Sequence, residues 1–183
     1  MKAVYLAKRI AYRFYEVTHP NEPWIAQGAV RFLEANLSLN WIGLEWGSGR
    51  SSAWYAKRLE SLVSIEHNRE WYEMISRSLP PNAECRYISL NHLESEPTRP
   101  DYDQLPDYVK VVNEFDRLHF VVVDGHYRQT CVKAAVPKLA SGGLLLIDNT
   151  NWLPMSQWGV PATWPVVHQS ENVMTQTTIW RKE

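Results

Sequence analysis

The feature that most constrains this chain is the run Leu44-Glu45-Trp46-Gly47-Ser48-Gly49-Arg50-Ser51-Ser52. It reads as a strand that ends in an acid, turns through two glycines and enters a helix. A second strand ends in an acid at Ser64-Ile65-Glu66-His67. Gly47 and Glu66 lie 19 residues apart, close to the spacing at which α/β nucleotide folds place a ribose-binding carboxylate. Without Cβ atoms, Gly47 and Gly49 are expected to allow φ > 0 and the close approach of a ligand. The helix that follows would present free N–H groups at its positive end.

The acids narrow the ligand. A pyrophosphate suits a helix start, but Glu45 opposes one. A carboxylate about 5 Å from a phosphate charge costs roughly 3 kcal/mol per charge pair at an effective dielectric near 20. S-adenosylmethionine fits better: its amino-acid end offers an ammonium to Glu45 and a carboxylate to Arg50 or the helix amides. Its ribose diol can donate two charge-assisted hydrogen bonds to Glu66. Ser48 and His67, beside these groups, complete the expected cofactor contacts around the turn.

Along the chain, residues 3–16 mix apolar and basic character as an amphipathic helix does, and Asn21-Glu22-Pro23 resembles a second helix start. Strands are expected at 41–45, 62–66, 85–90, 119–123, 144–147, 164–168 and 175–181. Helices are expected at 51–59, 70–79, 108–115 and 129–139. Ser141-Gly142-Gly143 reads as a turn, and 94–107, with three prolines and five acids, as an exposed connection. Strands alternating with helices predict a Rossmann-like, doubly wound α/β fold with a mainly parallel sheet. Right-handed crossovers then bring Glu45, Glu66, Asp124 and Asp148 to one edge, where such folds bind ligands. The division expected is a single domain over 1–183, with N-terminal helices at 1–38 and the Rossmann-like core at 39–183.

Composition excludes several partners. The net charge of −1 gives no basic footprint for nucleic acid or an anionic membrane surface. No apolar run reaches the length of a membrane span. Cys85 and Cys131 stand in unrelated contexts, which fits a reducing cytoplasm and no disulfide framework. Nine tryptophans are an unusual load, suited to filling cores and interfaces. With the N-terminal helix, they are compatible with a homodimer.

On these residues the chain resembles the class I S-adenosylmethionine-dependent methyltransferases, and within them a bacterial group of small members with a Glu-x-Gly-Ser-Gly-x-Ser turn. The motifs that carry the resemblance are Glu45-Trp46-Gly47-Ser48-Gly49, the Glu66 strand end, Val123-Asp124-Gly125-His126, and Leu139-Ala140-Ser141-Gly142-Gly143 leading to Asp148-Asn149. The resemblance implies a seven-stranded sheet whose last two strands form a hairpin. It also implies cofactor contacts at Glu45, Gly47, Gly49 and Glu66, with Asp124 under the methyl donor and Asn91 near the adenine.

A sharper likeness concerns Asp124, Asp148 and Asn149. They stand where catechol-type and caffeoyl-CoA-type O-methyltransferases hold a divalent cation, which lowers the pKa of a substrate hydroxyl. Those families place a lysine three residues after the first acid, and here that position is Tyr127. His126 or Asp148 is then the candidate general base, Arg128 the candidate anchor for an anionic substrate group, and Trp152 and Trp158 candidate covers over the acceptor. The favoured expectation is methyl transfer to a small molecule, at oxygen. The alternatives are a non-catalytic domain that keeps the fold and cofactor pocket, and a nicotinamide-dependent dehydrogenase. The dehydrogenase is opposed by Glu45 and by Ser52 at the place of a third glycine.

Overall fold

A computed structural model of the chain describes residues 9–10, 12–15, 17–90 and 104–183. Asn91 and most of the 94–107 connection lie outside the described residues. Helical backbone at 9–10, 12–15 and 17–18 is part of the amphipathic N-terminal segment. Helix α1 (Gln27–Asn36) starts later than Asn21-Glu22-Pro23 predicts. A tertiary contact sets that start: the Ala26 N–H donates to Thr177 Oγ1 at 3.0 Å, on the last strand.

The Rossmann-like alternation follows: β1 (Ile42–Trp46), α2 (Arg50–Ala56), β2 (Ser61–Glu66), α3 (Arg69–Ser76) and β3 (Ala83–Tyr87). Helix α4 (Asp107–Lys110) tightens into a 3-10 turn before β4 (Leu118–Val123), α5 (Arg128–Ala135) and β5 (Leu139–Ile147). The chain closes with β6 (Val166–Glu171) and β7 (Gln176–Arg181). The seven strands order as β3-β2-β1-β4-β5-β7-β6. All are parallel except β7, which runs antiparallel to β5 and β6. The strand order reverses at β1, so the crevice beyond the ends of β1 and β4 is where a ligand belongs in such a sheet.

Two expectations shift. The 141–143 turn lies inside β5, where Leu118 pairs with Leu139 but Phe120 pairs with Leu144. Gly142 absorbs the extra length at φ +79, and its N–H donates to Lys182 O at 2.7 Å. The strand before the hairpin runs on to Glu171 rather than ending at His168, and Asn172 organises the turn: its Oδ1 accepts from the N–H groups of Met174 and Thr175 at 2.7 and 2.9 Å.

The core divides by the period of two along each strand. Phe120, Val122, Leu144 and Leu146 face α1 and α2, packing on Leu33, Trp54 and Tyr55. Val121, Val123, Leu145 and Ile147 face the other way, onto Tyr108, Cys131 and Val132. Among the described residues no helix is long and apolar enough to cross a membrane.

Candidate active site

The Gly turn is held from below. Glu45 is fully buried, and its carboxylate accepts hydrogen bonds from Ser51 Oγ at 3.0 Å, Ser52 Oγ at 2.5 Å and Ser64 Oγ at 2.7 Å. Burial pushes its pKa up to about 7, and the three serine hydroxyls oppose that push. Ser52 also accepts from the Gly49 N–H at 3.0 Å. The residue at the third-glycine position therefore ties the turn to the acid beneath it. Of the two glycines in this turn, only Gly47 needs glycine for its backbone, at φ +94; a Cβ there would sit 2.7 Å from Gly125 N. Gly49 is extended at φ −169, so the freedom expected of it is not used. The two turns that follow β1 and β4 touch at Gly47 and Gly125, which brings Asp124 beside the glycine turn.

A cavity of about 680 Å³ opens above this junction, with Gly47, Ser48, Glu66, His67, Asp124 and His126 in its wall. Glu66 is 4% exposed. Its Oε1 accepts from the N–H groups of His67 and Asn68 at 2.8 and 2.7 Å, and its Oε2 from Ser48 Oγ at 3.1 Å. Burial alone would raise its pKa, but hydrogen bonds from His67, Asn68 and Ser48 outweigh burial and hold it below the ordinary value. The carboxylate is thus fixed and ionised. The His67 ring lies 4.3 Å from that of His126, and its Nδ1 is 3.0 Å from Glu66 Oε1.

Asp124 and Asp148 are joined by Arg128, which spends all five of its donors internally. Nε donates to Gly125 O at 2.9 Å, Nη1 to Asp148 O at 2.5 Å and to Asn149 Oδ1 at 3.0 Å. Nη2 donates to Asp124 O and Oδ1 at 2.7 and 3.0 Å. A guanidinium so committed cannot also anchor a substrate anion, which corrects the role expected of it. It clamps the turn after β4 to the end of β5 instead. Burial and the neighbouring Asp148 push the Asp124 pKa up, while Arg128 pulls it back. The Asp124 side chain keeps 31% of its surface exposed, so solvent in the cavity offsets part of that push. Asp148 is also raised by burial, against hydrogen bonds from Thr177 Oγ1 and Thr175 Oγ1 at 2.5 and 2.7 Å.

These contacts do not fit a divalent cation at Asp124, Asp148 and Asn149. Both Asp148 oxygens are taken by threonine hydroxyls, and the Arg128 guanidinium holds Asn149 Oδ1 and Asp124 Oδ1. A fixed positive charge already stands where a cation would. Among the described residues no group of three or more His, Cys, Asp or Glu side chains could hold a metal.

Two further expectations are corrected. Trp158 is fully buried and donates its indole N–H to Thr150 O at 3.2 Å, so it packs the core rather than covering an acceptor. Arg50 is not among the residues that line the cavity; its guanidinium lies 4.7 Å from the Trp24 ring and 3.5 Å from Pro20 O. Trp152 does stand at the cavity, stacked 4.6 Å from the Arg128 guanidinium. The sequence reading missed Trp71 and Met74, which also line the cavity. The indole N–H of Trp71 donates to Ser48 O at 2.6 Å. Their signal was available: Asn68 caps the start of α3, so residues 71 and 74 share a helix face one turn apart.

A second cavity of about 480 Å³ lies across Asp124, with Asp148, Asn149, Trp24, Arg9 and Arg13 in its wall. The Trp24 ring stacks on Trp71 with centroids 6.3 Å apart, so one aromatic pair joins a wall of each cavity.

Neither a protein-family model nor a curated protein matches the sequence. Solved structures match over most of this chain. An rRNA methylase from Streptococcus thermophilus is 12% identical, covers 87% of this chain and 99% of its own, and superposes with a TM-score of 0.62. A TehB-like SAM-dependent methyltransferase from Corynebacterium glutamicum is 10% identical, covers 100% of both chains and has a TM-score of 0.58. The fold is that of the class I S-adenosylmethionine-dependent methyltransferases. An RNA methyltransferase from Salinibacter ruber, solved with S-adenosyl-L-homocysteine, is 13% identical and covers 82% of this chain and 87% of its own, with a TM-score of 0.51. At these identities the likeness is one of fold, and the chemistry must be argued from the side chains.

Proposed function

We propose that the chain is an S-adenosylmethionine-dependent methyltransferase acting on a small molecule, at oxygen. The observation that carries this reading is that Asp124 lines both cavities, so a methyl donor in one and an acceptor in the other meet at a single carboxylate. The donor set suits the cofactor. Glu66 is ionised and faces the larger cavity, as a ribose diol requires. Trp71 and Met74 supply an apolar wall for a purine. Glu66 and Asp124, both in the wall of the larger cavity, favour a cationic ligand and oppose a pyrophosphate, whereas Glu45 is spent beneath the turn on Ser51, Ser52 and Ser64.

When bound, S-adenosylmethionine supplies a methyl group already activated on a sulfonium. The protein then has to align the acceptor, take its proton and exclude water. Asp124 is the base in this reading. Burial and Asp148 bring its pKa up toward the working pH, which suits general-base chemistry. With Oδ1 anchored by Arg128, Oδ2 is the oxygen assigned to proton transfer. Asp148, both of whose oxygens are hydrogen-bonded, positions the β5 end. His126 lines the cofactor cavity with His67, and its role is to shape that wall. No step requires a divalent ion.

Calorimetric titration with S-adenosylmethionine, S-adenosylhomocysteine and NAD tests the reading. Micromolar binding of both sulfur ligands and none of NAD is expected. Tight NAD binding with no response to the sulfur ligands would sink it. Binding of cofactor with no methyl transfer to any hydroxylated acceptor would favour a non-catalytic binding domain.

A further inference from the structure

Trp24 carries no motif and is 49% exposed, yet it is held by two neighbours. Its ring stacks on Trp71 with centroids 6.3 Å apart and planes 23° from parallel, and the Arg50 guanidinium lies 4.7 Å from it. Both neighbours are tied to the Gly turn. Arg50 is the first residue of α2, directly after the turn. Trp71, in the first turn of α3, lines the cofactor cavity and donates its indole N–H to Ser48 O at 2.6 Å. Ser48 Oγ in turn donates to Glu66 Oε2 at 3.1 Å. One line of contacts therefore runs from Trp24 through Trp71 and Ser48 to Glu66. Its last three members are in the wall of the cofactor cavity, while Trp24 is in the wall of the second cavity and not of the first.

We infer that Trp24 is a positioning residue for the cofactor: it fixes the Trp71 indole, which fixes the Gly turn, so that filling the cofactor cavity sets a wall of the second cavity. The order of loading follows, with the methyl donor first and the acceptor second. The inference rests on the methyltransferase reading for the identity of the first ligand. The physical case is one of shared ordering cost. Trp71 is half-buried and Trp24 half-exposed, so both indoles have rotamer freedom to lose and the stack alone holds them weakly. With Trp24 against it, Trp71 keeps its N–H on Ser48 O, and Ser48 keeps its hydroxyl on the Glu66 carboxylate. A ligand packed on Trp71 restrains the same indole, so Trp24 is then held at a smaller further cost. Linkage makes the effect mutual: whatever tightens the pair tightens the cofactor by the same factor. Arg50 reinforces the pair from α2, since the ring quadrupole of tryptophan attracts a guanidinium. Were Trp24 only a cover over apolar surface, its loss would lower stability and leave cofactor affinity unchanged.

The test is calorimetric titration of S-adenosylhomocysteine into the full chain and into Trp24→Leu, Trp24→Phe, Trp71→Leu and the Trp24→Leu/Trp71→Leu double variant. Urea denaturation checks that each is folded. Trp24→Leu is expected to weaken binding about three- to tenfold, the worth of one aromatic pair, and Trp24→Phe to keep most of the affinity. Because Trp24 acts through Trp71, adding Trp24→Leu to Trp71→Leu is expected to cost nothing more. The near-ultraviolet circular dichroism difference between the parent and Trp24→Phe isolates the stacked pair, and it is expected to grow when S-adenosylhomocysteine is added. That arm needs only the Trp24→Phe variant, so it decides the matter if Trp24→Leu does not fold. Parent-like binding by Trp24→Leu, losses that add in the double variant, or a difference signal that the ligand leaves unchanged overturns the inference while the methyltransferase reading stands. A parent that binds no S-adenosylhomocysteine overturns both.

Discussion

Replacing Arg128 by methionine keeps the length of the side chain and removes its five donors. Three backbone carbonyls, those of Asp124, Gly125 and Asp148, lose a partner, as do Asn149 Oδ1 and Asp124 Oδ1. Each buried acceptor left unpaired costs about 1–3 kcal/mol, less where the cavity lets water in. Breaking a buried charge pair typically costs about 3–5 kcal/mol. A loss of about 3–5 kcal/mol is therefore expected, which a domain of ordinary stability survives. The loss must also depend on pH. Asp124 and Asp148 both have native pKa values raised above the unfolded ones, and Arg128 lowers both. Their ionised forms thus destabilise the native state, a cost absent below the unfolded pKa that grows as pH rises from the unfolded to the native value and then levels off. Without Arg128 that cost deepens, so the variant should lose more stability at pH 8 than at pH 5. Urea denaturation at both pH values, followed by tryptophan fluorescence and circular dichroism, measures the difference. A loss under about 1 kcal/mol, or an equal loss at both pH values, would refute the clamp.

Two further outcomes follow from the acids of the Gly turn. Glu45→Gln removes a group whose pKa is raised from 4.5 to about 7. Its stability cost grows between those two values, by on the order of 3 kcal/mol. Parent stability should therefore fall from pH 4.5 to 7 more steeply than that of the variant, and parallel denaturation curves across this range would exclude a buried, titrating Glu45. Glu66→Gln keeps an acceptor for the His67 and Asn68 N–H groups but removes the charge. It should weaken S-adenosylhomocysteine binding about 10- to 100-fold, the value of one charge-assisted hydrogen bond. The structure sets that expectation lower than two full ribose bonds, because Ser48 and His67 already occupy part of the carboxylate. Unchanged calorimetric affinity would remove Glu66 from the site.

Local sequence pattern determined the order of elements, the Gly turn and the convergence of Glu45, Glu66, Asp124 and Asp148 on one sheet edge. These follow from period-two alternation, strand-ending acids and the handedness of crossovers, all of which act over short stretches of chain. The resemblance drawn from them predicted the seven-stranded sheet with its C-terminal hairpin, and the strand order bears it out. Only the tertiary structure decided what each charged side chain does. Arg128 could be read as a substrate anchor until its five donors met oxygens in the turn after β4 and just beyond β5. Trp158 could be read as a pocket cover until the core closed over it. Arg9, Tyr12 and Arg13 carry no motif at all, yet they share the wall of the second cavity with Asp124, Asp148 and Asn149. A side chain's backbone conformation is fixed by its neighbours in sequence, but its hydrogen-bond partners come from segments distant in the chain, and those partners decide whether a charge is available to a ligand or already used to hold the fold together.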